Sequence, residues 1–303
     1  MARGHPAERT DMSTIAFVGL GIMGSPMAVH LQQAGHQVRG YNRSPEKMQA
    51  LVDAGGLRCG SAAEAADGAE VVCLMVPDSP DVEDVLVGAG QVLDHARPGA
   101  LIIDFSTIRP DVARRLAATA RERGLRMLDA PVSGGEAGAR NAALSIMVGG
   151  EAEDVEAARP LLDVLGRTVV HVGPAGAGQT VKAANQLVVA GHLQVLAEAV
   201  ALLEAYEVAL DPALDVLGGG LAGSAVLEQK RGNLTGRHFE PGFRAELHHK
   251  DLGIVTSAAR EASVVLPTGA LLAQLMASAV ANGDGGLDHS ALLRVVLRLN
   301  GRE

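Results

Sequence analysis

Aromatic residues are scarce in this chain, which has no tryptophan, two tyrosines and four phenylalanines among 303 residues. Positive charge is also in deficit, with 26 Lys and Arg against 35 Asp and Glu, a formal net charge of -9. Nucleic-acid binding needs a basic surface and, for single strands, aromatic side chains on which bases stack. We therefore expect no nucleic-acid partner.

Cysteine is almost absent as well. Cys59 and Cys73 are the only two, and their spacing fits neither a disulfide framework nor a CxxC site, which predicts a reducing, cytoplasmic location. The histidines and acids show no metal-binding spacing. His248 and His249 are neighbours, and on a helix their side chains would diverge by about 100°. No metal site is predicted.

Long apolar runs are missing too, since no stretch approaches the roughly 18 consecutive apolar residues of a membrane-spanning helix. The first thirteen residues carry charges and a proline where a signal peptide would have an apolar core. We expect no membrane association, and residues 1–13 are predicted to be a disordered leader.

Short β-branched runs alternate with helical stretches from residue 14 to about residue 175. This alternation predicts a doubly wound parallel sheet of the Rossmann type, the architecture of a dinucleotide-binding domain. A helix is predicted at Ala152–Leu165. The predicted strands are Thr14–Val18, Gln37–Tyr41, Glu70–Val76, Leu101–Phe105, Arg126–Leu128, Leu144–Val148 and Thr168–Val172.

A second domain is predicted over residues 176–303. A segment rich in glycine at 173–178 is followed by some thirty residues whose only helix breaker is Gly191. This predicts a helix over about 177–208, roughly 45 Å long, twice the usual length. Four or five further helices follow, so the C-terminal domain is expected to be all-helical and joined to the first by the long helix.

Three glycines with GxGxxG spacing follow the first predicted strand and precede a helix. In this context the first glycine permits the tight turn, the second lets a pyrophosphate approach the backbone, and the third lets helix and strand pack closely. The helix N-terminus offers amides to the phosphates. The predicted cofactor contacts here are Gly19, Leu20, Gly21, Ile22, Met23 and Gly24.

The residues after the second strand bear on cofactor choice. NAD sites usually present an acid there to the ribose hydroxyls, but this chain has Asn42, Arg43 and Ser44. Arg43 can pair with a 2′-phosphate, with Asn42 and Ser44 as neutral donors. The prediction is NADP(H) in preference to NAD(H), with a solvated Arg43 beside the next helix as the alternative.

Two polar segments lie where a parallel sheet opens its crevice, beyond the carboxyl ends of strands. Thr107 is predicted to contact the nicotinamide or the substrate, or else Ser106 or Thr107 caps the helix that follows Pro110. Ser133, Gly134 and Gly135 can converge a hydroxyl and backbone amides on a carboxylate. The alternative for these glycines is a plain loop.

Lys182, Asn185 and Gln186 share one face of the long helix, in a segment otherwise made of Ala, Val and Leu. Burying an amine is costly, so this lysine indicates either chemistry or an ion pair or snorkelling to the surface. An ammonium can stabilise a developing alkoxide and give it a proton. Lys182 is therefore the predicted catalytic acid/base, with Asn185 and Gln186 holding the substrate oxygen and the amine.

The order of these segments resembles the β-hydroxyacid dehydrogenase family. The resemblance extends from about Ser13 to the C-terminus and rests on FVGLGIMGSPMA, MVPD, DAPVSGGEAGA, LSIMVGG, GAGQTVKAANQ and HHKDL. It implies a Rossmann-type domain followed by a helical one, assembled as homodimers or homotetramers. It also implies that Lys182 is catalytic, that Val76, Pro77, Thr107 and Lys250 contact the cofactor, and that Ser133, Gly134 and Gly135 bind the carboxylate of a small substrate.

Within the family, Ser133 to Arg140 and Ala281 to Leu292 resemble the tartronate semialdehyde reductase branch of glyoxylate metabolism. The expected reaction is reduction of tartronate semialdehyde to glycerate, with a 3-hydroxyisobutyrate or broad 3-hydroxyacid dehydrogenase as the alternative. Enzymes of this scaffold that reduce imines usually lack the lysine, so Lys182 argues against imine reduction. A non-catalytic dinucleotide-binding module is the remote alternative. The chain departs from many relatives at Gln186, where they have asparagine, and at Ala142 and Ala143, where they have Gly and Thr.

Overall fold

The computed structural model describes residues 12–302, and the description below is confined to them. Of the predicted leader, residues 1–11 lie outside the described residues. The chain divides into two compact units between Gln179 and Thr180, whereas the sequence placed the boundary between residues 175 and 176. Unit 1 contains the strands, and unit 2 is helical.

Unit 1 contains nine strands within the described range, joined into one sheet. They are β1 Thr14–Val18, β2 Gln37–Tyr41, β3 Leu57–Arg58, β4 Val71–Leu74, β5 Leu101–Asp104, β6 Arg126–Asp129, β7 Val132–Ser133, β8 Leu144–Gly149 and β9 Gly166–Gly173. The helices are α1 Gly24–Gln33, α2 Gln49–Asp53, α3 Ala62–Ala66, α4 Ser79–Leu86, α5 Val92–His95, α6 Pro110–Glu122, α7 Gly135–Arg140 and α8 Ala152–Leu165, with a 3-10 turn at Pro45–Met48.

The strand order β3-β2-β1-β4-β5-β6 is parallel throughout and crosses over at β1, as a doubly wound sheet requires. Beyond β6 the sheet becomes mixed. Strand β8 runs antiparallel to β6 and β7 but parallel to β9. The sequence predicted β8 and β9 but missed the two-residue strands β3 and β7, which are too short to show alternation.

Both faces of the central sheet are buried, and the strand residues alternate between two apolar clusters. In β1, Ile15 and Phe17 belong to one cluster while Ala16 and Val18 belong to the other. Successive side chains on a strand point to opposite faces, so a parallel strand covered on both sides must be apolar throughout. This explains the apolar runs at residues 15–18 of β1, 71–74 of β4 and 101–103 of β5.

The long helix α9, Ala177–Ala205, begins at the end of unit 1. Its first amides are satisfied by a carboxylate from β6, since Asp129 accepts from Gly176 N at 2.7 Å and from Gln179 N at 2.9 Å. A side chain at Gly178 would overlap the carbonyl oxygen of Met147. Glycine and aspartate together therefore let the helix start close to the sheet edge.

Unit 2 consists of the rest of α9 followed by α10 Leu210–Gly219, α11 Ala225–Gly236, α12 Ala245–Glu261, α13 Pro267–Ala279 and α14 Leu292–Leu299, with a π turn at Val280–Asp284 and a 3-10 turn at His289–Ala291. Helix α9 ends three residues before the predicted limit of 208, because Glu207 adopts a left-handed conformation with φ 57°.

Helix α9 is long and apolar enough, by length and composition, to cross a membrane, with a mean hydropathy of 1.6 over its most apolar 18-residue window. Core helices of soluble proteins pass the same test. Along α9, Ala183, Ala190 and Leu193 belong to one apolar cluster of unit 2. Leu196 and Val200 belong to a second cluster. One side of the helix therefore supplies the core of this unit.

Candidate active site

The glycine-rich turn joins β1 to α1, and its three glycines face different surroundings. A Cβ on Gly19 would overlap the carbonyl oxygen of Met75, and one on Gly24 would overlap that of Gly19. A Cβ on Gly21 would meet no atom of the described residues within 4 Å. The first and third glycines are thus required by packing, while the second leaves the space through which a phosphate can approach the backbone.

Asn42 holds this turn from the end of β2. Its Oδ1 accepts from Leu20 N at 2.9 Å, and its Nδ2 donates to the carbonyl oxygen of Ser44 at 3.1 Å. Gly19 N donates to the carbonyl oxygen of Tyr41 at 2.9 Å, which joins the same two segments. Asn42 therefore positions the turn, a role that its prediction as a donor to a 2′-phosphate did not include.

Arg43 extends from the same strand end into solvent. Its side chain is 79% exposed, and Nη2 lies 3.4 Å from Oδ1 of Asp81 on α4. An exposed pair at this distance contributes little stability. The guanidinium is thus accessible to an anionic ligand, and both its predicted roles, 2′-phosphate partner and solvated side chain, fit this position.

Thr107 lies in a loop whose flanking residues are both held by Gln179. The Gln179 Nε2 donates to the carbonyl oxygen of Ser106 at 2.8 Å, and its Oε1 accepts from Ile108 N at 3.0 Å. Ser106 Oγ accepts from Val76 N at 3.0 Å, which ties the loop to the segment of Val76 and Pro77 after β4. Ser106 therefore joins two strand ends, and the alternative in which it caps α6 is wrong.

The glycines after β7 have the backbone conformations of a turn that favours glycine. Gly134 has φ 132° and Gly135 has φ 62°, a region that other residues enter at a cost. The half-buried Ser133 belongs to β7, where it is the register partner of Ser145 in β8. The predicted carboxylate site thus runs from the end of β7 through Gly134 to Gly135, the first residue of α7.

Lys182 is 7% exposed, on the first turns of α9. The pKa of its amine is lowered from 10.5 to about 8: burial is the largest cause, the nearby Asp251 opposes it, and Lys250 adds to it. An amine with a pKa near 8 exchanges its proton readily close to neutral pH, which is what an acid/base group needs. The snorkelling alternative is wrong, because the amine is buried.

The amine is held by side chains of α9 and α12. Lys182 Nζ donates to Gln186 Oε1 at 3.0 Å, and Asn185 Nδ2 donates to the same oxygen at 2.9 Å. Gln186 Nε2 donates to Asp251 Oδ2 at 2.5 Å. Gln186 therefore holds the amine, as predicted from the helical spacing, and its amide is engaged at both ends with protein groups.

Lys250 and Asp251 come from the HHKDL segment on α12. Lys250 Nζ lies 2.8 Å from Asp251 Oδ1, with both side chains largely buried. By sequence alone Lys250 is an ordinary surface lysine, and the structure corrects this by placing it in a shielded ion pair. Asp251 was not singled out in the sequence. Its partner Gln186 is 65 positions away, so no local pattern joins them.

His248 on α12 contacts the backbone of the α9 turn that contains Gln186. Its Nε2 lies 3.1 Å from the carbonyl oxygen of Gln186, and its Nδ1 lies 2.9 Å from Nδ1 of His289. Burial lowers the pKa of both rings, which favours their neutral forms. Neutral rings require His248 to donate through Nε2 and to accept from His289 at Nδ1. Across residues 12–302 no cluster of three or more His, Cys, Asp or Glu suits a metal.

Two family models match the chain. Residues 14–173 match the NAD binding domain of 6-phosphogluconate dehydrogenase, and residues 176–296 match the NAD-binding domain of NADP-dependent 3-hydroxyisobutyrate dehydrogenase. The chain belongs to the 3-hydroxyisobutyrate dehydrogenase-like family of 3-hydroxyacid dehydrogenases. The resemblance drawn from the sequence motifs is confirmed, as is the predicted order of a Rossmann domain and a helical domain.

Relatives of this dehydrogenase carry different substrate names. The chain is 40% identical to 2-hydroxy-3-oxopropionate reductase of Escherichia coli, covering 93% of this chain and 96% of that protein. It is 38% identical to an NAD-dependent L-serine dehydrogenase of Pseudomonas aeruginosa, over 94% and 98% of the two chains. The structure of Mycobacterium tuberculosis 3-hydroxyisobutyrate dehydrogenase with L-serine superposes with a TM-score of 0.86 at 36% identity. The match covers 94% of this chain and 99% of that one.

The described residues of the dehydrogenase fit a dinucleotide. The open space at Gly21 lies beside the start of α1. Met23 precedes this helix, and within the described range its side chain makes no capping hydrogen bond to the first amides. The first amides of α1 are therefore oriented toward a site where a phosphate would be stabilised by them and by the helix dipole.

Proposed function

We propose that this dehydrogenase reduces tartronate semialdehyde to glycerate, with NADPH preferred as reductant and the reverse reaction accessible. The observation that carries the reaction type is Lys182, a buried amine with a pKa of about 8 held by an amide oxygen. The choice of substrate is supported by the 40% identity to 2-hydroxy-3-oxopropionate reductase and by the resemblance of residues 133–140 and 281–292 to that branch.

In the proposed mechanism the glycine turn at residues 19–24 holds the pyrophosphate, and Thr107 and Lys250 contact the cofactor. The bound dinucleotide supplies or accepts the hydride. Lys182 does the proton chemistry: its ammonium stabilises negative charge on the carbonyl oxygen during reduction and donates the proton that makes the hydroxyl. In oxidation the neutral amine accepts that proton.

The carboxylate of the substrate is assigned to Ser133, Gly134 and Gly135. The positive φ of the two glycines turns the backbone sharply after β7, an arrangement in which successive amides can face one anion. A carboxylate bound there would select acids over simple aldehydes. Asn185, which donates to Gln186, is left with the second hydrogen of its amide for the substrate.

The preference for NADPH rests on Arg43 and on the absence of an acid at residues 42–44, directly after β2. A 2′-phosphate would replace Asp81 as the partner of the exposed guanidinium, and charge-assisted pairs with phosphate are strong. Asn42 is engaged with the glycine turn, so Ser44 is the remaining neutral donor. The use of NADH is the alternative, since one similar protein is named as NAD-dependent.

A 3-hydroxyisobutyrate or broad 3-hydroxyacid dehydrogenase is the second candidate. It is favoured by the family model over residues 176–296 and by the structural similarity to the Mycobacterium tuberculosis enzyme. It would use the same lysine and the same carboxylate site. The two candidates differ in what surrounds C2 of the substrate.

The test is an absorbance assay with purified protein in both directions. Tartronate semialdehyde and methylmalonate semialdehyde are assayed with NADPH or NADH, and glycerate, 3-hydroxyisobutyrate and L-serine are assayed with NADP+ or NAD+. We expect kcat/KM for tartronate semialdehyde with NADPH to exceed every other combination by at least about tenfold, because each added or missing group is worth about 1–3 kcal/mol. A higher kcat/KM for the methyl-bearing pair would favour the second candidate. No turnover of any member would overturn the enzymatic proposal and favour a binding module.

We also propose that the protein is a homo-oligomer whose subunits meet along α9. Val181, Val188, Val195 and Leu202 are each seven residues apart and are between 38% and 61% exposed. Ala184, Gly191, Glu198 and Ala205 follow these residues by three positions, at the alternate positions of a heptad. Three of the four are small, and such a seam suits a second helix. A second copy of the chain, presenting the same stripe, is the proposed occupant.

Light scattering after size exclusion tests this assembly. The wild type should have the mass of a dimer or tetramer, and Val188→Glu with Val195→Glu should shift it to a smaller species, since two buried charges would face the partner. Val265→Glu is the matched control, because Val265 is 84% exposed and lies off α9. A monomeric wild type, or a double variant of unchanged mass, would contradict the proposal.

A further inference from the structure

Four buried or half-buried side chains in unit 2 form a continuous polar chain. Lys182 Nζ donates to Gln186 Oε1 at 3.0 Å, Gln186 Nε2 donates to Asp251 Oδ2 at 2.5 Å, and Asp251 Oδ1 lies 2.8 Å from Lys250 Nζ. Lys182, Gln186 and Asp251 are all less than a tenth exposed. Each of these contacts is therefore shielded from water and is strengthened by the low local dielectric.

Only one orientation of the Gln186 amide satisfies this chain. A carboxylate accepts hydrogen bonds and does not donate, so Asp251 requires the NH2 end of Gln186 to face it. The oxygen end must then face Lys182 and Asn185, both of which donate to it. The backbone of Gln186 is fixed as well, because its carbonyl oxygen lies 3.1 Å from His248 Nε2.

The orientation of this amide decides what Lys182 can do. With the oxygen facing it, the amine donates one hydrogen to Gln186 whether charged or neutral, and the lone pair of the neutral amine is left for a substrate hydroxyl. With the NH2 end facing it, an ammonium would meet like partial charges, and a neutral amine would spend its lone pair on the amide. Only the first orientation supports proton transfer in both directions.

We propose that Asp251 is a positioning residue that acts through Gln186: by accepting from its NH2 group, Asp251 keeps the amide oxygen toward Lys182 and so directs the amine at the substrate. This inference rests on the dehydrogenase function proposed above, and it assigns Gln186 to the amine and not to the substrate. The negative charge of Asp251 also favours the ammonium form of Lys182, while Lys250 on the same helix opposes it.

Among residues 12–302, the charged and titratable groups that act on Lys182 lie on α12. They are Asp251, Lys250 and His248, and His248 itself contacts His289. The two variants below change neither Lys250 nor the histidines. A shift in the titration of Lys182 therefore arises from the amide of Gln186 or from loss of the Asp251 charge, which also releases Lys250 from its ion pair.

The first experiment is a double-mutant cycle on kcat. Asp251→Asn keeps the size of the side chain but can donate as well as accept, so either orientation of Gln186 finds a partner. Gln186→Met keeps the length and removes the amide. We expect each single variant to lower the pH-independent maximum of kcat by about tenfold or more, with KM changed less than about twofold, since misplacing an acid/base group costs rate.

The double variant separates positioning from direct action. If Asp251 acts through Gln186, adding Asp251→Asn to Gln186→Met lowers the plateau of kcat no further. A further tenfold loss in the double variant would show that Asp251 acts independently. A rise in KM with an unchanged kcat would make Asp251 a substrate contact. Either outcome would overturn the proposal.

A second readout needs no substrate or cofactor. The chain has four lysines, Lys47, Lys182, Lys230 and Lys250, so isotope-labelled lysine gives four side-chain NMR signals to follow against pH. We expect the pKa of Lys182 to fall by about one unit in Asp251→Asn, as expected for loss of a nearby opposite charge. In the Gln186→Met background the same change should be smaller, because only the charge remains to be lost.

Glu246→Gln is the matched control, since it removes a carboxylate charge from an exposed position of α12 and should leave the titration of Lys182 unchanged. If Asp251→Asn shifted the pKa of Lys182 equally in the wild type and in Gln186→Met, Asp251 would act only through its charge. This result would overturn the positioning role. If the wild type turned over no substrate, the proposed function would fail, yet these titrations would still decide whether Asp251 acts through the amide.

Discussion

Two buried carboxylates, one in each unit, are satisfied in different ways. Asp129 at the end of β6 accepts from backbone amides, Gly176 N and Gln179 N. Asp251 on α12 accepts from a side-chain amide and pairs with the ammonium of Lys250. The first carboxylate fixes the course of the backbone where α9 begins. The second fixes the orientation of side chains, one of which holds the proposed catalytic amine.

The partners determine what each carboxylate can influence. Burial raises the pKa of Asp129, while the backbone hydrogen bonds oppose that rise, and none of its partners titrates. The partners of Asp251 lead directly to Lys182, whose pKa it raises. The difference teaches that burial alone does not mark a group as functional. A buried acid contributes to chemistry only when its hydrogen bonds lead to a group that gains or loses a proton.

The contrast between Asp129 and Asp251 would fail if the amine of Lys182, to which Asp251 is linked through Gln186, were not needed for catalysis. Lys182→Ala should lower kcat by at least about 10⁴-fold, because it removes both charge stabilisation and proton donation. The Kd for NADPH, measured by fluorescence titration, should change less than about threefold, since the glycine turn holds the pyrophosphate. An equal loss of cofactor affinity would place the lysine at the phosphates.

Asp129→Ala tests the backbone side of the comparison. It leaves two buried amides without an acceptor and should lower the free energy of unfolding by about 3 kcal/mol, measured by urea denaturation. Asp129→Asn, which keeps one oxygen acceptor, should cost about half as much. The pH dependence of kcat should not move in either variant, because Asp129 is not among the groups that shift Lys182. If the pH dependence of kcat shifted in either Asp129 variant, Asp129 would influence the catalytic amine as Asp251 does, and the contrast between the two carboxylates would be wrong.

The pH dependence of the wild type sharpens the link from Asp251 to Lys182. Reduction requires the ammonium, so kcat/KM should be constant below pH 7 and fall about tenfold per pH unit above a pKa of about 8. Oxidation requires the neutral amine, so its kcat/KM should rise through the same pKa. A limb near 10.5, the ordinary value for lysine, would show that the amine is not shielded in solution.

Arg43→Asp should give the smallest effect, because this side chain, unlike the two carboxylates, is exposed. The ratio of kcat/KM with NADPH to that with NADH should fall by about tenfold or more through repulsion of the 2′-phosphate. Asp81→Asn is the control, since it keeps Arg43 and removes its competing partner; the ratio should rise slightly. An unchanged ratio in Arg43→Asp would make this arginine a solvated surface residue.

Most elements of unit 1 could be predicted because their signals are local. The limits predicted for β1, β2 and α8 equal those observed, since apolar runs, glycines and a following turn define them along the chain. The antiparallel pairing of β8 with β6 and β7 was not predicted. Strand direction depends on which neighbour a strand reaches, and β7 is too short to carry a periodic pattern.

The candidate site was predicted where a residue contrasts with its own surroundings. Lys182 stands out as a charge in an apolar helix, and the glycines of residues 19–24 stand out by spacing. Gln179 and Asp251 do not stand out, because polar residues at a helix start and within HHKDL are common. Their importance lies in hydrogen bonds to Ser106, Ile108 and Gln186, which are 65 to 73 positions away.

By itself, the amino-acid sequence determined the family, the order of the two domains, the glycine turn and the identity of the unusual lysine, since each depends on residue type and spacing along the chain. Only the tertiary structure decided that Lys182 is buried, which end of the Gln186 amide faces it, and that Asp251 sets this orientation. Burial and hydrogen-bond direction arise when α9 and α12 pack together, and no spacing within either helix encodes that contact.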